Sequence, residues 1–366
     1  MDAVAVTPGM PHSLHLRTDH PEPRIASDND VLVRVLRVGV DGTDREINEA
    51  QYGKAPPGDD YLVIGHESLG RVIDTGARAP HELRAGTLVV ASVRRPGSSV
   101  YDRIGMQDMT TDDEYYERGI NLLHGFLTER YVDDKAYLVP LPDVLEDVGV
   151  LLEPLSISEK AIAQAFEIQR RLKVWRPQRA AVLGSGTIGL LAVLALRLRG
   201  IETVCYSRRE PPHLNSDLVE AIGGRYVSAR RADLARASRD HGPFDFIFEA
   251  TGASQLAFEA AEVLAKNGVL VLASVTGGDK RTEIPSDRIN QGFVLGNKVM
   301  VGSVNASRSD FLSGVDDLIK AESVYPGWLS SLLTTRIDGL VGYNQMMRHL
   351  VDDKDAIKVY VQVAQG

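Results

Sequence analysis

The stretch Ala180-Ala181-Val182-Leu183-Gly184-Ser185-Gly186-Thr187-Ile188-Gly189 decides the fold. A short apolar run enters a turn of pattern G-x-G-x-x-G, and an apolar helical period leaves it through about Arg199. In such a setting Gly184 allows the tight turn and Gly186 lets backbone amides approach a pyrophosphate. Gly189 permits close packing of helix on strand, with Ser185, Thr187 and Ile188 between them. The same pattern also occurs in purely structural turns, so its surroundings must give it weight. Residues 202–206, 244–248, 268–272 and 299–304 read as further apolar strands separated by helical stretches. Buried strands alternating with helices imply an α/β unit with a doubly wound parallel sheet.

Toward the N-terminus the rhythm differs. Val31, Val33 and Val35 share one face with Arg34 opposite, and short apolar runs recur at 62–64 and 88–90. This predicts a β-rich domain with surface loops at 54–61 and 94–117, the latter without regular period. Ile162, Ala165 and Phe166, at i, i+3 and i+4, predict an amphipathic helix crossing into the second domain. The tail after Asn305 is too short for a domain of its own and is expected to return to the first. The expected division is residues 1–157 and 307–366 against 158–306.

Composition bounds the function. At 366 residues the chain has room for about two domains. Lys+Arg 41 against Asp+Glu 50 gives a net charge of −9, which argues against a nucleic-acid binder. The N-terminus lacks a signal-peptide pattern and no apolar run suits a bilayer span, so a cytoplasmic protein without membrane contact is expected. The single cysteine, Cys205, excludes an intrachain disulfide and any multi-cysteine zinc site.

The end of the second strand of the α/β unit bears on the cofactor. An NAD-selective site places an acid there to accept from the ribose 2′-OH. Here Ser207-Arg208-Arg209 follows the strand, and guanidinium groups suit a 2′-phosphate. An exposed basic turn is the plainer alternative. The expectation is NADP, with NAD also accepted. Ala273, Ser274, Val275, Ser303, Val304 and Asn305 lie at or after strand ends, where open α/β sheets form their ligand crevice.

Gly65-His66-Glu67, the upstream Asp41-Gly42-Thr43-Asp44 and Glu153-Pro154 together resemble the zinc-dependent medium-chain alcohol dehydrogenases. Further ordered matches run along nearly the whole chain: Arg45-Glu46-Ile47, Glu117-Arg118-Gly119-Ile120, Glu159-Lys160, Glu249-Ala250-Thr251-Gly252 and Gly302-Ser303-Val304-Asn305. With these the chain is similar to the archaeal-type glucose dehydrogenases of that family. The resemblance implies a GroES-like catalytic domain followed by a Rossmann domain. It also implies a catalytic zinc held by Asp41, His66 and Glu153, with Glu67 able to exchange onto the metal. Asp41 stands where most of the family has cysteine, and Glu46 where many members carry a proton-relay histidine. Two carboxylates and an imidazole are acceptable zinc ligands and leave a position open. The 94–117 loop lacks the cysteines of a structural zinc, so one metal per subunit is expected.

The activity so implied is hydride transfer from C1 of an aldose, D-glucose foremost, to the nicotinamide C4, giving the aldonolactone. Zinc would polarise the C1 hydroxyl, Thr43 would hold it and pass its proton outward, and Glu117 and Asn305 would contact the sugar. The aspartate that some relatives place four residues after the crossover ligand is Ile157 here, so one sugar contact is missing. Another zinc-dependent polyol or alcohol dehydrogenase, taking galactose, xylose or a secondary alcohol, is the nearest alternative. A zinc-free NADPH-binding sensor is the alternative from a different class. Family precedent implies a dimer or tetramer, with the strand at 299–304 as a candidate subunit contact.

Overall fold

Alternation over Val31–Val35 begins one long central strand, Asp30–Val40, which is buried on both faces toward its end. Val31, Val33, Val35 and Val38 are fully buried while Arg34 points to solvent. In the computed structural model, which describes residues 1–365, this strand pairs antiparallel with Glu67–Thr75, Arg130–Asp134 and Val359–Gln362. Its sheet runs in the order Leu138–Leu141, Leu88–Ala91, Glu67–Thr75, Asp30–Val40, Val359–Gln362, Thr335–Asp338. Ile64, Phe126, Leu127 and Met346 pack with the inward valines into one core. Each such side chain contributes about 1.5–3 kcal/mol on burial.

Two units make up the chain. The first comprises Met1–Glu153, Asn305–Glu322 and Pro326–Gly366, and the second Pro154–Val304 with Ser323–Tyr325. The chain after Val304 thus supplies strands to the sheet of the first unit. The junctions fall a few residues before the expected ones. The 94–117 segment, which shows no periodicity, forms the strand Arg94–Arg95, the short helix Val100–Arg103 and the strand Tyr116–Arg118. Its order comes from polar bonds rather than an apolar face. Asp102 takes the Ser99 and Thr110 hydroxyls at 2.6 Å, and Asp112 takes the Ser98 backbone amide at 2.6 Å.

The second unit is a six-stranded parallel sheet. Its strands are β1 (Arg179–Leu183), β2 (Glu202–Ser207), β3 (Arg225–Ser228), β4 (Phe244–Glu249), β5 (Leu264–Leu272) and β6 (Val299–Gly302), in the order β3-β2-β1-β4-β5-β6. All neighbours are parallel, and the order reverses beside β1. That reversal makes a crevice outside the strand carboxyl ends. The helix Leu152–Gln169 leads in, and helix α1 (Thr187–Leu198) follows β1. The buried face of α1 includes Leu190, Leu191 and Leu194. Among the described residues no helix is long and apolar enough to cross a membrane.

Candidate functional site

The first cluster forms where the helix Gly42–Asn48 begins. Asp41 caps that helix, its Oδ1 accepting from the Thr43 amide at 2.7 Å. Asp44 closes the box, accepting the Asp41 amide at 3.1 Å, and its other oxygen takes the Gly65 amide at 2.9 Å. Both Asp44 oxygens therefore hold backbone, whereas Asp41 Oδ2 is left facing His66 Nε2 at 3.9 Å. Gly65 has φ +84 and a Cβ there would strike Leu127 and Val38, so only glycine lets the strand turn directly into His66.

His66, Glu67 and Glu153 offer donor atoms within 4.8 Å of one another, and so do Asp41, Asp44 and His66. His66 thus joins two groups that include all four expected ligands. His66, Glu67 and Glu153 are all buried, and among the described residues His66 Nδ1 has no hydrogen-bond partner. Burial works against every charge here. It pushes Glu153 up to about 8 and Asp44 to about 6, with His66 opposing in both cases. It also raises Glu67, against the pull of Lys358. The His66 imidazole, drawn down by burial, is carried up to about 9 by Asp41, Glu153 and the other carboxylates. Burial would raise Asp41 too, but His66, Lys358 and Thr43 hold it below the usual carboxylate range. A buried set rich in carboxylates, with an unbonded imidazole nitrogen, fits a divalent cation.

Lys358 is the resident positive charge. It ion-pairs with Glu67, both being 1% exposed, and stays protonated despite its burial because Glu67 and Asp41 face it. Sequence reasoning passed over it. The signal was a lysine set in the otherwise apolar Ile357-Lys358-Val359-Tyr360-Val361. Arg94 was missed as well: its guanidinium donates twice to Glu117 Oε1, at 3.0 and 2.8 Å. The amide of Asn305 donates to the same oxygen. Glu117 and Asn305, distant in sequence, therefore touch within the first unit. The Thr43 side chain lies beside Asp41 and Tyr52, and the Tyr52 hydroxyl donates to Glu46 Oε2 at 3.1 Å.

The second cluster lies in the second unit, where β1 turns into α1. A cavity of about 650 Å³ is lined by Gly184, Ser207, Arg208, Thr251, Gly252 and Lys280 among others. Gly186 caps α1 without a side-chain bond, so backbone rather than a capping side chain forms the start of the helix. Ser185, Thr187 and Ile188 sit in this turn, and the Ser185 hydroxyl donates to that of Ser207 at 3.0 Å. A Cβ on Gly189 would collide with the Gly184 carbonyl, the close approach expected of it. Arg209 is not among the lining residues; its carbonyl receives the Tyr226 hydroxyl at 2.8 Å. Ala273, Ser274, Val275, Ser303 and Val304 also lie outside the lining. Ser274 instead helps position the loops, accepting the Gly252 amide at 2.9 Å and donating to Glu249. A cavity of about 640 Å³ at the strands' amino ends, lined by Arg179, Glu202, Arg225 and Asp240, lies at the wrong end of the sheet for a nucleotide.

Comparison with known proteins gives the family. Residues 27–143 match the alcohol dehydrogenase GroES-like domain, and residues 146–363 match the glucose dehydrogenase C-terminus. The glucose 1-dehydrogenase of Methanocella arvoryzae is 40% identical over 99% of both chains, and that of Thermoproteus tenax is 40% identical with the same coverage. The crystal structure of Haloferax mediterranei glucose dehydrogenase in complex with NADP, Zn and gluconolactone superposes with a TM-score of 0.88 at 34% identity, covering all of both chains. The chain belongs to the archaeal-type glucose 1-dehydrogenases of the zinc-dependent medium-chain alcohol dehydrogenase family.

Proposed function

We propose that this chain oxidises D-glucose at C1 with NADP, giving glucono-1,5-lactone and NADPH, with one catalytic zinc per subunit. The cluster of half-buried Asp41 with buried His66, Glu67 and Glu153 carries the reading, because its three carboxylates outnumber the two basic groups that face them, His66 and Lys358. The Haloferax relative, whose structure contains NADP, Zn and gluconolactone, supplies the substrate class.

Asp41, His66 and Glu153 would hold the metal, with Glu67 drawn between it and Lys358. When bound, zinc supplies Lewis acidity toward the C1 hydroxyl and NADP supplies the hydride acceptor. The remaining work falls to side chains. The Thr43 hydroxyl would hold the C1 hydroxyl and take its proton as it passes its own to Tyr52. Tyr52 in turn relays to Glu46, which is partly solvent-exposed and hands the proton to water. In this chain the relay position held elsewhere by histidine is thus a carboxylate reached through a tyrosine. Glu117 and Asn305 would contact the sugar hydroxyls.

In the second unit the Gly184–Gly189 turn at the start of α1 would take the pyrophosphate. Arg208, with Lys280 in the same cavity lining, would favour a 2′-phosphate. NAD lacks that phosphate and would bind more weakly. Strand β6 ends its sheet with one edge unpaired, which supports a homo-oligomer joined there.

Steady-state kinetics on an aldose panel with both cofactors tests the reading. The expected result is highest kcat/KM for glucose with NADP, lost on verified zinc removal. Oxidation confined to simple alcohols, or full activity without metal, would overturn it.

A further inference from the structure

Glu117 is the most tightly held carboxylate beside the proposed substrate site, and what holds it restricts what it can bind. This inference rests on the glucose dehydrogenase reading. Arg94 and Glu117 are direct partners across an antiparallel pair. They are 7% and 5% exposed. Two guanidinium donors of Arg94 and the amide of Asn305 all converge on Oε1. The guanidinium is itself fixed 4.5 Å over the Tyr115 ring. Asn305 adopts a left-handed backbone, φ 58, a conformation that costs free energy outside glycine and persists where its surroundings demand it. The Glu117 strand runs on into Gly119, whose Cα abuts the carbonyl of Gly65, next to His66. The strand that carries Glu117 is therefore anchored, through Gly119, against the turn that precedes His66.

A carboxylate oxygen has two lone-pair sites, so a third donor already overfills Oε1. A new partner must use Oε2, and that oxygen only accepts. Asn305, facing the carboxylate oxygen that Arg94 also holds, presents its NH2 there, which leaves its Oδ1 as a second acceptor. We propose that Arg94 is a positioning residue that locks Glu117 and Asn305 into a unit offering acceptors, so that the site reads substrate hydroxyls as hydrogen-bond donors. The ligand class is a polyol presenting one or two hydroxyl protons on one edge, and an ether or fluorinated edge is refused.

The zinc-loaded enzyme tests this with glucose and its mono-deoxy and deoxyfluoro analogues. Fluorine accepts feebly and donates nothing, so at a hydroxyl read as a donor both analogues raise KM alike, by about tenfold or more. In Arg94→Gln we expect the glucose KM to rise at least about tenfold while kcat and the NADP KM stay within about threefold. The penalty at the donor-read position should shrink, and Arg94→Lys should recover part of it. Glu117→Gln should reproduce Arg94→Gln, and the double variant should add little. An unchanged glucose KM in Arg94→Gln overturns the proposal. So does a loss spread equally over all sugars and over kcat, the pattern of a purely structural role. If Arg94→Gln does not fold, Glu117→Gln and Arg94→Lys decide it by the same sugar series. A wild type inert toward every aldose refutes the underlying reading first, and this inference with it.

Discussion

Two buried polar networks in the first unit are built from similar residues and differ in one respect. Around Asp133, Arg95 donates to both carboxylate oxygens and Arg118 adds a third contact at 3.2 Å. Burial would raise the Asp133 carboxyl, but the two guanidinium groups hold it below the ordinary range. Around His66 the balance runs the other way, with Glu153 pushed up to about 8 by burial. The first network is complete within the protein and braces the 94–117 segment. The second is left short of positive charge. A buried cluster that satisfies itself is scaffold, and one that does not is a place for a cation.

The largest expected effect comes from the incomplete network. His66→Ala should lower kcat/KM by at least about 10³-fold, and dialysis against a chelator should do the same to the wild type. Nucleotide titration should show NADPH binding spared, because the glycine turn belongs to the other unit. Turnover surviving metal removal would erase the contrast between the networks.

The complete network should respond in stability instead. Asp133→Asn leaves the buried Arg95 and the partly buried Arg118 without their anion, a change that costs about 3–5 kcal/mol. Chemical denaturation measures it. A loss below about 1 kcal/mol would mean that Asp133 is dispensable to the brace. Zinc content should be unchanged in this variant, and its loss would show that the networks are not separate.

Arg208 inverts the first case: a cation lining a cavity and awaiting an anion. Charge-assisted bonds contribute about 1.5–3 kcal/mol, so Arg208→Asp should raise the NADP KM by about 10- to 100-fold. The NAD KM should move by less than about threefold. Equal changes for both cofactors would remove Arg208 from phosphate recognition.

How much of this was legible follows from the same contrast. The parallel sheet was readable because β1, the glycine turn and α1 are adjacent in sequence and each obeys a local rule. The residues of the His66 cluster were readable through short motifs, Gly65-His66-Glu67 above all. Lys358 and Arg94 were not, because their meaning lies in partners 291 and 23 positions away: Glu67 for the one and Glu117 for the other. No period or turn rule marks a long-range ion pair. The 94–117 segment stayed unassigned for a related reason, since hydroxyl-to-carboxylate bonds leave no hydrophobic rhythm.

The smallest effect concerns a third cluster, half in solvent, that falls between the two networks. His20 Nδ1 meets the Tyr61 hydroxyl at 2.8 Å, and its ring lies edge-on to His124 at 5.1 Å. The N-terminal ammonium donates to the His20 carbonyl at 2.9 Å. Burial, then the positive charges of His124, the N-terminus and Arg17, pull the His20 imidazole down to about 4. In the unfolded chain it titrates near its ordinary value of 6.5. Between those values the unfolded state binds more protons, so stability is full above about pH 6.5 and declines as pH falls toward about 4. Because the group is half solvated, the loss is discounted to about 1 kcal/mol, or about 2 °C in melting temperature. Melting of wild type and His20→Gln at pH 7, 6 and 5 isolates the term, since acid effects on the metal ligands are common to both. The variant should show the shallower decline. Parallel curves would place His20 with the complete networks, indifferent to protons in this range.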